Sequence, residues 1–253
     1  MSRKSSKVAL NCGGETPPPP VKTPLFGKGR GRLAPAGIEE CIDYTFLKPA
    51  GEKDAVRKLC REAKKARFAS VCVNPCEVAL CAKLLKGSEV KVCTVIDFPL
   101  GQGSVIGRCL AASDAIAAGA RELDFVVNQR LLKYEPEKCL ADLKWVIQAC
   151  RNAVGEGTPP VTKLILECCN LTKAEIVRGC KLAKRAGFDF VKTSTGFAAG
   201  GATVEDVKLM RKTVGPKMGV KAAGGIRDRE TALKMIKAGA TRIGTSAGLK
   251  LLA

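Results

Sequence analysis

From residue 38 onward the chain alternates between short β-prone runs and longer stretches with helical spacing. The runs fall at 39–44, 68–73, 91–96, 122–127, 163–167, 189–192, 219–221 and 242–244. The stretches between them fall at 52–66, 75–85, 105–118, 135–153, 172–186, 204–212 and 228–238. Gly119, Gly187 and Gly239 follow three of the helical stretches, the expected stop signal. Strict alternation calls for a parallel sheet covered by helices, because parallel neighbours need a long crossover. Eight strands is the number that closes a barrel. The expected fold is therefore α/β, a single-domain (β/α)8 TIM barrel over residues 36–253. The competing open doubly wound sheet would carry Gly-x-Gly-x-x-Gly after its first strand, and here that position reads Asp43-Tyr44-Thr45-Phe46-Leu47-Lys48.

Residues 1–35 form a separate zone with Pro17 to Pro20, Gly27-Lys28-Gly29-Arg30-Gly31-Arg32 and few apolar residues, and are expected to be a disordered basic tail. Like an organelle transit peptide the zone is basic and acid-poor, but its polyproline run and weak amphipathicity argue against that role. The net charge is +19, of which the first 34 residues supply +6 (seven Lys/Arg against one Glu) and the rest +13. Solvated helix faces such as 58–67 and 181–185 account for most of it. Such a surface attracts anions, phosphorylated metabolites among them. With no nucleic-acid motif and only 4% aromatic residues, no specific nucleic-acid partner is expected. No apolar run approaches the roughly 18 residues of a membrane helix. The expected location is the cytoplasm, with no membrane partner.

Thirteen cysteines, an odd number, sit mostly in apolar patterns, as Cys72, Cys93, Cys109 and Cys180 do. They read as small buried hydrophobes in a reducing compartment. Cys76 with Cys81, and Cys168 with Cys169, match no zinc-module spacing, so no metal is expected. The chain has no histidine. That removes Ser-His and Cys-His nucleophiles and the imidazole ligands of most catalytic zinc sites. Acid–base chemistry is left to Lys, Asp, Glu, Tyr, Cys or water.

Lys192 closes the buried run 188–191 and precedes the polar loop Thr193-Ser194-Thr195-Gly196. A buried ammonium is costly, and the usual escape is a neutral amine, which attacks carbonyls. A lysine snorkelling out of a strand end is the plainer reading of this stretch alone. In a barrel, however, functional groups gather at the carboxyl ends of the strands. Those positions hold Asp43, Asn74, Asp97, Asp124 or Asn128, Glu167, Lys192 and Lys221. Lys221, on the strand next to that of Lys192, is expected to help keep Lys192 neutral. Asp124 is expected to point inward and to shuttle protons, with Glu122 on the surface. The loops 222–226 and 243–248 are glycine-rich, and both are expected to lead into helices whose amides bind phosphate.

These residues, with the motifs Ile42-Asp43-Tyr44-Thr45, Val71-Cys72-Val73-Asn74-Pro75, Phe98-Pro99-Leu100-Gly101, Glu122-Leu123-Asp124, 190–196, Gly200-Gly201-Ala202-Thr203, Lys221-Ala222-Ala223-Gly224-Gly225 and Gly244-Thr245-Ser246, make the chain resemble the deoxyribose-phosphate aldolase family over residues 38–250. The resemblance implies a class I aldolase, working without a cofactor. It would reversibly cleave 2-deoxyribose 5-phosphate to glyceraldehyde 3-phosphate and acetaldehyde. It implies that Lys192 forms the Schiff base, that Asp124 and Lys221 assist proton transfer, and that Lys163 belongs to the polar network around them. Gly196, Gly224, Gly225 and Ser246 are implied at the substrate and its phosphate. Similar proteins are dimers or tetramers, so a homo-oligomer is expected.

The chain departs from the family pattern in three places. Tyr44 replaces the usual histidine, which is expected to alter a first-strand contact. Ala247 replaces a serine, which is expected to remove a hydroxyl from the phosphate site. The chain stops at Ala253 without the tyrosine-bearing tail of some members. The basic tail, the high net charge and the altered phosphate loop motivate an alternative, a catalytically weakened barrel serving as a binding protein. Another Schiff-base aldolase with a different substrate is the second alternative.

Overall fold

A computed structural model describes residues 37–252, so the tail expected at residues 1–35 lies outside the described residues. Eight parallel strands form one closed barrel in chain order: β1 (Ile42–Phe46), β2 (Ser70–Val73), β3 (Lys91–Ile96), β4 (Glu122–Val126), β5 (Val161–Ile165), β6 (Phe190–Lys192), β7 (Gly219–Ala223) and β8 (Arg242–Thr245), with β8 pairing back onto β1. The helices α1 (Ala55–Ala66), α2 (Val78–Leu84), α3 (Val105–Ala117), α4 (Gln129–Tyr134), α5 (Pro136–Asn152), α6 (Lys173–Ala186), α7 (Val204–Val214) and α8 (Arg229–Lys237) connect successive strands. This is the expected (β/α)8 architecture.

Strand alternation divides the side chains into two environments. Leu123 and Phe125 of β4, Val191 of β6, Val220 and Ala222 of β7 and Ile243 of β8 belong to the apolar shell between sheet and helices. Burying each of the larger ones contributes about 1.5–3 kcal/mol. The inward positions carry a small apolar group, Leu47, Cys72, Cys93 and Val95, and a large number of charges. Local signals fix the helix ends. Thr172 and Glu175 form a reciprocal capping box at the start of α6, and Gly187 ends it with φ 93°.

Three boundaries differ from the sequence reading. Residues Glu39–Cys41 form a 3-10 turn, so β1 starts at Ile42 and places Asp43 near its beginning. The short helix α4 precedes α5, with Asn128 accepting the Leu131 N–H as its cap; Pro136, at the first turn of α5, separates the two. After β8 the chain makes a 3-10 turn, Gly248–Leu251, so only the loop after β7 leads into an α-helix. Among the described residues no helix is long and apolar enough to cross a membrane, and the described cysteines are free thiols.

Candidate active site

Lys192 and Lys221 are direct register partners on β6 and β7, so both side chains leave the sheet on the same face. That face is the barrel interior, and both are buried there. Lys221 gets there past Gly244, where a Cβ would stand 3.0 Å from its Cε; glycine on β8 leaves room for the lysine stem. Both ammonium groups lie 2.8 Å from the same atom, Asp124 Oδ2. The other oxygen, Asp124 Oδ1, accepts from Lys163 Nζ at 2.8 Å and from the Cys93 thiol at 3.3 Å. A carboxylate thus stands between the two lysines and offsets the direct repulsion expected from the sequence.

Beneath this trio lies a second set of charges. Lys163 Nζ is 2.7 Å from Glu122 Oε2 and 3.8 Å from Asp43 Oδ2. Lys221 Nζ also meets Asp43 Oδ2 at 2.5 Å. Arg242 bridges Asp43 at 2.5 Å and Glu122 at 2.9 Å, and its guanidinium lies 5.5 Å from the Phe190 ring centroid. The expectation that Glu122 is a surface residue is therefore wrong. It is 3% exposed and ion-paired inside the barrel. Period two puts Glu122 on the same side of β4 as Asp124, and in a closed barrel that side is the interior.

Burial would raise the carboxyl of Asp124, but Lys163, Lys192 and Lys221 together hold it well below the usual carboxylate range. Asp43 behaves alike: burial is outweighed by Arg242, Lys221 and Lys163. Burial would lower Lys163 and Lys221, yet Asp124 above all keeps both above the usual lysine value. Two ligand-like groupings occur here, Cys72 with Cys93 and Asp124, and Asp43 with Cys93 and Glu122. Lys163 Nζ lies within 3.3 Å of Cys93 Sγ, Asp124 and Glu122, so its ammonium already stands where a cation would bind.

Above the charges the mouth is lined by backbone. Gly224 (φ 91°) and Gly225 (φ 80°) follow β7, and Gly196 (φ 84°) follows β6. A Cβ on Gly224 would stand 3.0 Å from Gly201 Cα and 3.3 Å from Ser194 Cβ, whereas one on Gly225 would meet nothing within 4 Å. The Ser194 hydroxyl is buried there without a hydrogen-bond partner. Thr245 Oγ1 donates to Ile226 O at 2.7 Å and ties the loop of Ser246 to that of Gly225. Gly196, Gly225 and Ser246 are exposed around this opening. Phe98 and Phe197 pack edge to face at 5.1 Å, joining the loops after β3 and β6.

The remaining strand-end candidates hold structure. Asp97 accepts the Gly103 N–H and pairs with the buried Arg108, and Asn128 caps α4. Asn74 opens the 3-10 turn after β2. Tyr44 does not alter the interior. It faces outward, edge to face with Phe68 at 5.3 Å, and donates to Glu62 at 2.8 Å. The Ala247 methyl packs on the apolar shell, and its N–H is taken by Thr245 Oγ1 at 2.9 Å.

Buried lysines around one carboxylate, beneath a glycine-lined opening in a closed (β/α)8 barrel, suit carbonyl chemistry at an amine, and the class of protein is a barrel aldolase. The family profile described as DeoC/LacD family aldolase matches residues 41–253. A deoxyribose-phosphate aldolase of Clostridium perfringens is 54% identical over 215 residues, 85% of this chain and 93% of that protein. One from Brevibacillus brevis is 53% identical, covering 85% of this chain and 95% of its own. The structure described as the unique tetrameric structure of deoxyribose phosphate aldolase from Aeropyrum pernix superposes with a TM-score of 0.78 at 33% identity, covering 85% of this chain and 89% of that one. The chain belongs to the DeoC/LacD aldolase family.

Proposed function

We propose that this protein is a class I aldolase that reversibly cleaves 2-deoxy-D-ribose 5-phosphate to D-glyceraldehyde 3-phosphate and acetaldehyde, in deoxyribose phosphate breakdown. The family and its named relatives support the reaction. The observation that carries the choice of nucleophile is the charge count of the interior. Lys163, Lys192, Lys221 and Arg242 face Asp43, Glu122 and Asp124, four cations against three carboxylates. A buried group is best left neutral overall. Lys192 contacts one carboxylate, while Lys221 contacts two and Lys163 three. Lys192 is therefore the lysine held by the fewest carboxylates, and it is the one assigned as the nucleophile.

The free amine adds to the C1 aldehyde and loses water to give an iminium. The iminium puts one extra positive charge into the cluster. Breaking C2–C3 sends the bonding electrons into the iminium, yields a neutral enamine and restores the balance. The C3 hydroxyl becomes the aldehyde of glyceraldehyde 3-phosphate, and its proton leaves through water toward Asp124, with Lys221 beside the same oxygen. Protonation of the enamine at C2 and hydrolysis release acetaldehyde. The amides about Gly196, Gly224, Gly225 and Ser246 seat the phosphate, which holds the reacting carbons over Lys192. No cofactor enters these steps.

The alternative, a weakened binding barrel, draws less support from its altered phosphate loop, because the Ala247 methyl packs on the apolar shell. The protein is further proposed to be a cytoplasmic homo-oligomer, a dimer or tetramer, which light scattering of the purified protein would measure. The reaction itself is tested by borohydride reduction in the presence of acetaldehyde or 2-deoxyribose 5-phosphate. The expected result is a stable adduct on Lys192, located by peptide mass spectrometry. Turnover with no adduct on Lys192 would exclude this nucleophile.

A further inference from the structure

Glu167 follows β5 with φ 57° and ψ 66°, a left-handed conformation that costs a side-chain-bearing residue about 1–2 kcal/mol. Glycine would make the same turn without that cost. The glutamate side chain must therefore serve a purpose at this position. Its backbone is pinned from two sides. Gln129 Nε2 donates to the carbonyls of Leu166 at 2.8 Å and Glu167 at 3.2 Å, and Asn170 N donates to Glu167 O at 3.1 Å.

So held, the carboxylate reaches from the end of β5 to the loop after β6. It is 5% exposed. It accepts the Thr195 N–H at 3.2 and 3.3 Å, and it also accepts the Thr195 hydroxyl. The same hydroxyl accepts the Phe197 N–H at 3.0 Å. Glu167 thus grips Thr195 directly and Phe197 through it, on either side of Gly196. A Cβ on Gly196 would lie 3.9 Å from Gly224 Cα, so the gripped segment faces the β7 glycine loop. The hydrogen bonds of Glu167 run to this loop, whereas the ammonium of Lys192 is bonded to Asp124.

We infer that Glu167 is a positioning residue that holds the Thr195–Phe197 backbone in the shape that seats the substrate's phosphate, leaving the amine chemistry of Lys192 untouched. The inference rests on the function proposed above. It separates two halves of the reaction: the phosphorylated end of the substrate depends on Glu167, and Schiff-base formation with the two-carbon aldehyde does not.

The test uses Glu167→Gln in the full chain, with Thr195→Val as a second variant that breaks the same grip from its other side. Folding is checked by thermal melting. For each variant the KM for 2-deoxyribose 5-phosphate is expected to rise about tenfold, with kcat changed less than about threefold. The kcat/KM for unphosphorylated 2-deoxyribose, and the borohydride-trapped yield with acetaldehyde, are expected to match wild type. Equal losses on both sugars would overturn the inference, as would an unchanged KM for the phosphorylated one. If wild type itself formed no acetaldehyde adduct, the aldolase reading would fall and this inference with it.

Discussion

Asp124 meets the Nζ atoms of three lysines, at 2.8 Å each. Asp124→Asn leaves the Lys163 and Lys221 cations facing a neutral amide, and stranding a buried charge typically costs about 3–5 kcal/mol. A marked fall in melting temperature is expected along with lost turnover. Adding Lys221→Met to that variant removes one stranded cation. The double variant is expected to recover part of the melting temperature and none of the activity, as calorimetry and a coupled aldehyde assay would read. Lys192→Ala behaves differently, because Asp124 keeps two lysine partners. It is expected to melt close to wild type while kcat falls at least about 10³-fold, some 4 kcal/mol of barrier. Retained turnover would refute the Schiff-base assignment. Lys192, Asp124 and Lys221 were legible in the sequence because a charged residue in an apolar strand is conspicuous. Arg242 and Glu122 were not, because each stands at the start of its run, where a charge normally faces water. Nor does any residue type reveal the positive φ of Glu167.

At the level of strands and loops, alternation with helices was enough to read the barrel, and period two placed Asp124 inward between the outward Leu123 and Phe125. What it missed came from local geometry. The 3-10 turn at Glu39–Cys41 shifts β1 and sinks Asp43 below the mouth, and a 3-10 turn stands where an eighth connecting helix was expected. The two glycines after β7 make unequal demands. Gly224→Ala adds a methyl 3.0 Å from Gly201 Cα at φ 91°, so backbone must move, whereas Gly225→Ala brings only left-handed strain of about 1–2 kcal/mol. Gly224→Ala is expected to show the larger loss of melting temperature, at about 2–4 °C per kcal/mol. Gly225→Ala is expected to raise the KM for the phosphorylated sugar, because its methyl enters the open space where the phosphate is proposed to sit. Ala247→Ser, which the sequence alone suggested would improve phosphate binding, is now expected to leave that KM unchanged, since its methyl packs on the apolar shell. A lowered KM would show that the position does reach the phosphate.

Across the whole barrel, stability should depend on pH through its buried groups, with a sign that can be worked out for each. Asp43 and Asp124 are held below their unfolded values. Their contribution is therefore complete above the unfolded carboxyl value of about 3.9 and is lost as pH falls below it. Lys163 and Lys221 are raised. Their contribution is complete below about 10.4 and lost only as pH rises beyond that. The cysteines act sooner. Burial pushes the Cys139, Cys150 and Cys180 thiols up to about 12 each. An unfolded thiol ionises near 8.5, so above that pH the unfolded chain releases protons that the folded barrel retains, and stability falls. A plateau in melting temperature is thus expected from about pH 5 to about pH 8.5, with an acid limb set partly by the interior carboxylates and an alkaline limb started by the thiols. Each limb can be tested separately. Cys150→Ala should shallow the alkaline limb and leave the acid one unchanged. Asp43→Asn, though less stable at neutral pH, should lose less on acidification than wild type. Melting curves from pH 3 to 10 for the three proteins would decide it. An unchanged alkaline limb in the cysteine variant would mean that Cys150 titrates alike in the folded and unfolded chains.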